Sequence, residues 1–182
     1  MENAQDRPQT GGFVRVPTCM KVLGIAGFSG AGKTTLLERL IPLLCADGVR
    51  VSLVKHAHHG FDVDQPGKDS YRHRRAGAGE VLVASDVRWA LMHENASAEP
   101  PRLQELLARL SPCDLVLAEG WKRDPIPKIE VHRADNEKPW LYPDDGNILA
   151  VASDVAPPDE IKWLGLDDLS GIRAFIKQEI GV

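Results

Sequence analysis

From Lys21 onward, short aliphatic runs alternate with stretches whose apolar residues recur at helical spacing. That alternation predicts strands joined by crossover helices in a mostly parallel sheet, an α/β fold. The run VLGIA leads into a glycine-rich turn and then TTLLERLIPLL, where Leu36, Leu37, Leu40, Ile41 and Leu44 share one helical face. Pro42 removes a backbone donor and is expected to bend this helix. Gly48 is placed to close it in a left-handed cap before a second strand, RVSLVKH. The stretch AHHGFDVDQPGKD is too polar and glycine-rich for either element and reads as a long loop, a kind of segment that commonly binds something. Asp69 to Ala76 predicts a short basic helix, and EVLVAS and RWALMHE a hairpin turning at Asp86. Behind Pro100 and Pro101, Leu103, Leu106, Leu107 and Leu110 mark an amphipathic helix, and DLVLAE is a buried strand ending in an acid. KIEVHR and NILAVAS add two strands, and a last helix from about Asp168 carries Leu169, Ile172, Phe175, Ile176 and Ile180. No internal repeat is visible.

A length of 182 residues suits one hydrophobic core. The expected organisation is a mobile polar leader over 1–19 and a single domain over 20–182. The 43% hydrophobic and 26% charged content is that of a globular chain. A formal charge of -4 speaks against a broad cationic surface for nucleic acid, so any basic site is local. Cys19, Cys45 and Cys113 are scattered and lack paired C-x-x-C spacing, which argues for reduced thiols rather than a zinc site. No uninterrupted apolar run of membrane length occurs, and the opening residues lack the apolar middle of a secretory signal. A cytoplasmic location is expected.

The segment Gly27-Phe28-Ser29-Gly30-Ala31-Gly32-Lys33-Thr34 fits G-x-x-x-x-G-K-[ST] at every fixed position, in a strand-loop-helix setting. Glycines allow a bend tight enough for successive N–H groups to point at phosphate oxygens, reinforced by the positive end of the next helix. The loop residues Gly27, Ser29, Gly30, Ala31 and Gly32, with Lys33, Thr34 and Thr35, are the expected phosphate contacts. Lys33 supplies a mobile charge for the β- and γ-phosphates, and the Thr34 hydroxyl a ligand for a bridging Mg²⁺.

Such a metal needs a carboxylate on a neighbouring strand. Glu119 ends LVLAE and is the candidate, since ligands of open α/β sheets bind at the carboxyl ends of strands. Asp62, Asp64 and Asp69 compete as loop acids, and turn formation explains each equally well. The N-K-x-D signature of GTPases is absent, but Ser153-Asp154 follows a late strand in a comparable place. A carboxylate accepts both edge donors of guanine and is repelled by the acceptor that adenine presents; a plain turn aspartate is the alternative. His56, His58 and His59 beside Asp62 and Asp64 invite a transition-metal site, yet the spacing fixes no geometry and an ordinary loop is preferred.

Three blocks, GFSGAGKTTLLERLIPLL, VKHAHHGFDVDQPGKDSYRHRRAGA and DLVLAEGWKRDPIPKIEVHR, with the tail strand LAVASD, resemble the molybdopterin-guanine dinucleotide biosynthesis protein B (MobB) family. The match covers most of the chain from Met20 to Asp154, and its middle block is more specific than the phosphate loop. The resemblance implies a homodimeric P-loop protein that binds GTP with Mg²⁺ and hydrolyses it weakly at most, through Lys33 and Glu119. It further implies an adaptor for the MobA-type guanylyltransferase that attaches GMP to molybdopterin. In that setting Lys68, Arg72, His73, Arg74 and Arg75 offer an anion site for the molybdopterin phosphate, against the plainer reading of a solvated basic face. Two other classes stay open: a small-molecule kinase with Arg72 to Arg75 as a lid, and a metal-delivery GTPase storing metal on the histidines. KIEVHR is either an exposed edge strand that pairs with its copy in a dimer or a strand covered within one chain.

Overall fold

A computed structural model describes residues 20–57, 60–96 and 99–182. The expected leader, Cys19, His58 and His59 lie outside these residues. The chain opens with strand β1 (Lys21–Ala26), helix α1 (Lys33–Ala46) and strand β2 (Val51–Lys55). Helix α2 (Asp69–Arg75) precedes strands β3 (Glu80–Ala84) and β4 (Trp89–His93). Helix α3 (Leu103–Leu107) leads into β5 (Leu115–Glu119) and β6 (Lys128–His132). The rest comprises β7 (Ile148–Ser153), β8 (Lys162–Gly165) and α4 (Leu169–Ile176).

Six strands form one parallel sheet in the order β2-β5-β1-β6-β7-β8, and β3 pairs antiparallel with β4 as a separate ribbon. The α/β reading of the hydrophobic pattern is thus borne out, hairpin included. Leu36, Leu37, Leu40 and Leu44 of α1 and Ile172 and Ile176 of α4 pack with Leu23, Ile25, Leu117 and Ile129 on one side of the sheet. Leu103 and Leu107 of α3 meet Val116, Ala118 and Trp121 on the other. Each fully buried leucine or isoleucine contributes on the order of 1.5–3 kcal/mol of transfer free energy, so this face-by-face burial is what fixes the register of the sheet. Helix α1 continues through Pro42, and Gly48, at φ +85°, caps it by donating to Cys45 O at 2.9 Å.

One strand is absent from the pattern reading, and another is decided between the two alternatives left open for it. Strand β8 is too short and too polar in its surroundings to stand out in the sequence. KIEVHR is no edge: β6 lies between β1 and β7 and is buried along its whole length. Its polar residues alternate onto one face and each finds a partner. Lys128 Nζ donates to Asp145 Oδ2 at 2.9 Å, and Glu130 accepts the backbone N–H groups of Leu141 and Tyr142, both at 2.9 Å. His132 stacks on Trp140 with ring centroids 3.6 Å apart. All these partners come from the segment that follows β6, which folds back over that face. Cys45 is exposed and Cys113 buried, both as free thiols.

Candidate functional site

Because β1, β5 and β2 run parallel in adjacent places, their carboxyl ends meet along one rim. Register pairs Ile25 and Lys55 with Glu119 from either side. The phosphate loop leaves this rim directly after β1. Gly27 has φ +143°, and a Cβ there would lie 2.4 Å from Val131 O, so no side chain fits without moving a backbone. Gly30 and Gly32 have φ +82° and +93°, and their would-be Cβ atoms meet Asn136 and Arg133. Asn136 Nδ2 also donates to Ser29 O at 3.0 Å, tying the loop to the segment after β6. Ser29, Thr34 and Thr35 are exposed and Ala31 is buried.

Lys33 folds back over this bend, its Nζ donating to Gly27 O at 3.0 Å and Phe28 O at 2.8 Å. Burial lowers its pKa, as do the neighbouring ammonium groups of Lys122 and Lys55, while Glu119 opposes the shift. Thr34 Oγ1 donates to Glu119 Oε1 at 2.9 Å, so the hydroxyl and the expected partner acid are already side by side. Glu119 is buried, and Lys55 Nζ stands 3.4 Å from the same oxygen. Gly120, at φ +87°, turns the chain beside His56 O, which a Cβ would approach to 3.3 Å. The site therefore presents backbone amides, three ammonium groups and a hydroxyl paired with a carboxylate, a donor set suited to a polyphosphate with a hard divalent cation.

The remaining sequence candidates fall in three places. Asp154 follows β7, two strands from β1 in the sheet; its Oδ1 accepts from Ala134 N at 3.0 Å. Ser153 is buried and its hydroxyl donates to Val155 O. Arg74 is engaged by three carboxylates: Nη2 meets Asp62 at 2.5 Å and Asp64 at 2.7 Å, and Nη1 meets Glu94 at 2.8 Å. These contacts raise its pKa further, Asp64 contributing most. Asp62 and Asp64 thus act as clasps for the basic helix, joining the long loop to α2. Lys68 and Arg72 are exposed, Arg72 in a loose 3.7 Å pair with Asp69.

His56 meets Trp121 edge-on at 5.0 Å, and among the described residues no group of three or more His, Cys, Asp or Glu could hold a metal ion. The sequence reading missed Lys55, Phe28, Lys122, Arg133 and Asn136. Lys122 and Lys55 each stand at or just beyond the carboxyl end of a strand, the one signal available for them. Among the described residues no helix is long and apolar enough to cross a membrane.

Comparison with known proteins is consistent across the chain. Residues 22–154 match the family described as molybdopterin guanine dinucleotide synthesis protein B. The molybdopterin-guanine dinucleotide biosynthesis adapter protein of Escherichia coli (strain K12) is 46% identical over 162 residues, 87% of this chain and 93% of the relative. That of Haemophilus influenzae is 45% identical, over 86% of this chain and 87% of the relative. A crystal structure of molybdopterin-guanine biosynthesis protein B superposes with a TM-score of 0.71 at 32% identity, covering 88% of this chain and 99% of the other. A homologue from Bacillus stearothermophilus gives 0.65 at 25% identity, covering 88% and 97%.

Proposed function

The chain belongs to the molybdopterin guanine dinucleotide synthesis protein B family, and from that premise we propose that it is an adapter in molybdopterin guanine dinucleotide biosynthesis that works by binding GTP with Mg²⁺. The observation that carries the nucleotide reading is the Thr34 to Glu119 hydrogen bond of 2.9 Å beneath a loop whose lysine caps its own carbonyls. Thr34 and Glu119 would hold a Mg²⁺ there, and the ion would supply positive charge to offset that of the phosphate tail. Lys33 leaves the carbonyls of Gly27 and Phe28 for the β- and γ-phosphates. Asp154, at the far end of the rim, reads the guanine edge with the carboxylate oxygen that Ala134 N does not occupy.

The exposed side chains of Lys68 and Arg72 supply the anion contacts for the molybdopterin phosphate, and Arg74 holds the long loop in place beside them. The acceptor enzyme is a guanylyltransferase of the MobA type, and the cytoplasm is the compartment. Pairing with a second copy uses a surface other than β6; the hairpin exposes Leu82, Trp89 and Leu91, a patch suited to burial against another chain. The kinase alternative is less favoured because the central arginine of the would-be lid is already taken by three carboxylates.

The test is reconstitution. Guanylyltransferase, molybdopterin, GTP and Mg²⁺ are combined with or without this chain, and the yield of dinucleotide is measured. The chain raises the yield, and Lys33→Ala abolishes the gain. An identical yield from the wild-type chain and Lys33→Ala would rule out nucleotide binding as the basis of adapter action.

A further inference from the structure

Three ammonium groups and one buried carboxylate converge on the phosphate loop, and one of the three has no established task. Lys122 follows the turn at Gly120, which brings it from the end of β5 across the mouth of the loop. Its Nζ lies 4.2 Å from the centroid of the Phe28 ring. Among the described residues it makes no hydrogen bond or ion pair with a side chain, and it is close enough to Lys33 that each repels the other's charge. Burial lowers the pKa of Lys122, offset in part by Glu130.

An ammonium resting on an aromatic face beside the like charge of Lys33 is held by a weaker attraction than a charge-assisted hydrogen bond to a phosphate oxygen. The aromatic face belongs to the phosphate loop itself, at the residue after Gly27. The strand that delivers Lys122 also delivers Glu119, the partner of Thr34 at the place where a metal would bridge the last two phosphates. We infer that Lys122 is a second phosphate-binding ammonium, which leaves the Phe28 ring to donate to the terminal phosphate of a bound triphosphate. It thereby distinguishes triphosphate from diphosphate. This rests on the nucleotide reading above and adds a residue to it.

Calorimetric titration of GTP and GDP, each with Mg²⁺, into the full chain and its variants tests the inference. Lys122→Met weakens GTP by about tenfold or more and leaves GDP within about twofold of the wild-type value. Lys122→Arg keeps the charge and restores most of the GTP affinity. Phe28→Leu removes the resting place but not the ammonium, and GTP binding holds or strengthens. If the wild-type chain binds GTP and Lys122→Met binds it equally well, or loses GTP and GDP to the same extent, the inference is overturned while the nucleotide reading stands. If the wild-type chain binds neither nucleotide, both fall.

Discussion

Thr34 Oγ1 donates to Glu119 Oε1 across 2.9 Å, linking the first turn of α1 to the end of β5 through residues 85 positions apart. Donating its single proton to the acid leaves the hydroxyl both lone pairs, so the pair as it stands would suit a Mg²⁺ without giving up this contact. Glu119→Gln retains an oxygen that accepts from Thr34 but removes the charge that orients metal-bound water. The expected outcome is GTP binding that no longer responds to Mg²⁺, measured as the ratio of affinities with the metal and with chelator. A preserved ratio contradicts the role given to Glu119.

Lys33→Ala removes the one ammonium that donates to the carbonyls of both Gly27 and Phe28. Both hydrogen bonds are only partly buried, so the cost to stability is modest, on the order of 1 kcal/mol. Triphosphate affinity falls by at least about tenfold, the value of a charge-assisted contact. Thermal denaturation and GTP titration of the same sample separate the two effects.

Arg74 and Arg72 sit two positions apart on α2 and meet opposite fates. Arg74→Ala strips the nearly buried Asp64 of its partner and releases Asp62 and Glu94 as well. The midpoint of thermal unfolding falls. Arg72→Ala breaks only an exposed pair with Asp69 and leaves the midpoint unchanged within error. Double substitution of Lys68 and Arg72 to Ala is expected to weaken molybdopterin binding without altering GTP affinity, read by separate titrations of the two ligands.

His132 contributes a pH dependence. Its pKa is lowered from the usual 6.5, chiefly by burial under Trp140, with Asp154 opposing. A histidine that is harder to protonate folded than unfolded stabilises the native state above the unfolded value, and that stability is lost as pH falls from 6.5 toward the lower folded value. Denaturation midpoints for wild type decline across that interval. His132→Gln flattens the decline.

The glycine-rich bend was legible because its geometry is local: Gly27 to Thr34 are contiguous, and Gly27, Gly30 and Gly32 are dictated by a positive-φ backbone path. Glu119 was legible because it ends an apolar run. The pattern left strand β6 open between an edge and a covered strand for a physical reason, since Lys128, Glu130 and His132 alternate with Ile129 and Val131 as they would on a half-solvated edge. Only the later residues Trp140 to Asp145, folded back over that face, supply the partners that allow the charges to be buried. Lys55 and Lys122 become neighbours of Lys33 through crossovers of a parallel sheet, which no short-range pattern records. Arg74 likewise belongs to a basic run, and only the return of the long loop shows that it clasps acids.

The central claim is that the bend over Gly27 to Thr34 grips the phosphate tail of GTP with a magnesium ion. Calorimetric titration of GTP into the chain, with Mg²⁺ and again with chelator, tests it most directly, with ATP as the competitor. The account predicts saturable binding of one GTP per chain, tighter with Mg²⁺ and tighter than ATP. Absence of saturable heat with either purine triphosphate in the presence of Mg²⁺ would contradict it.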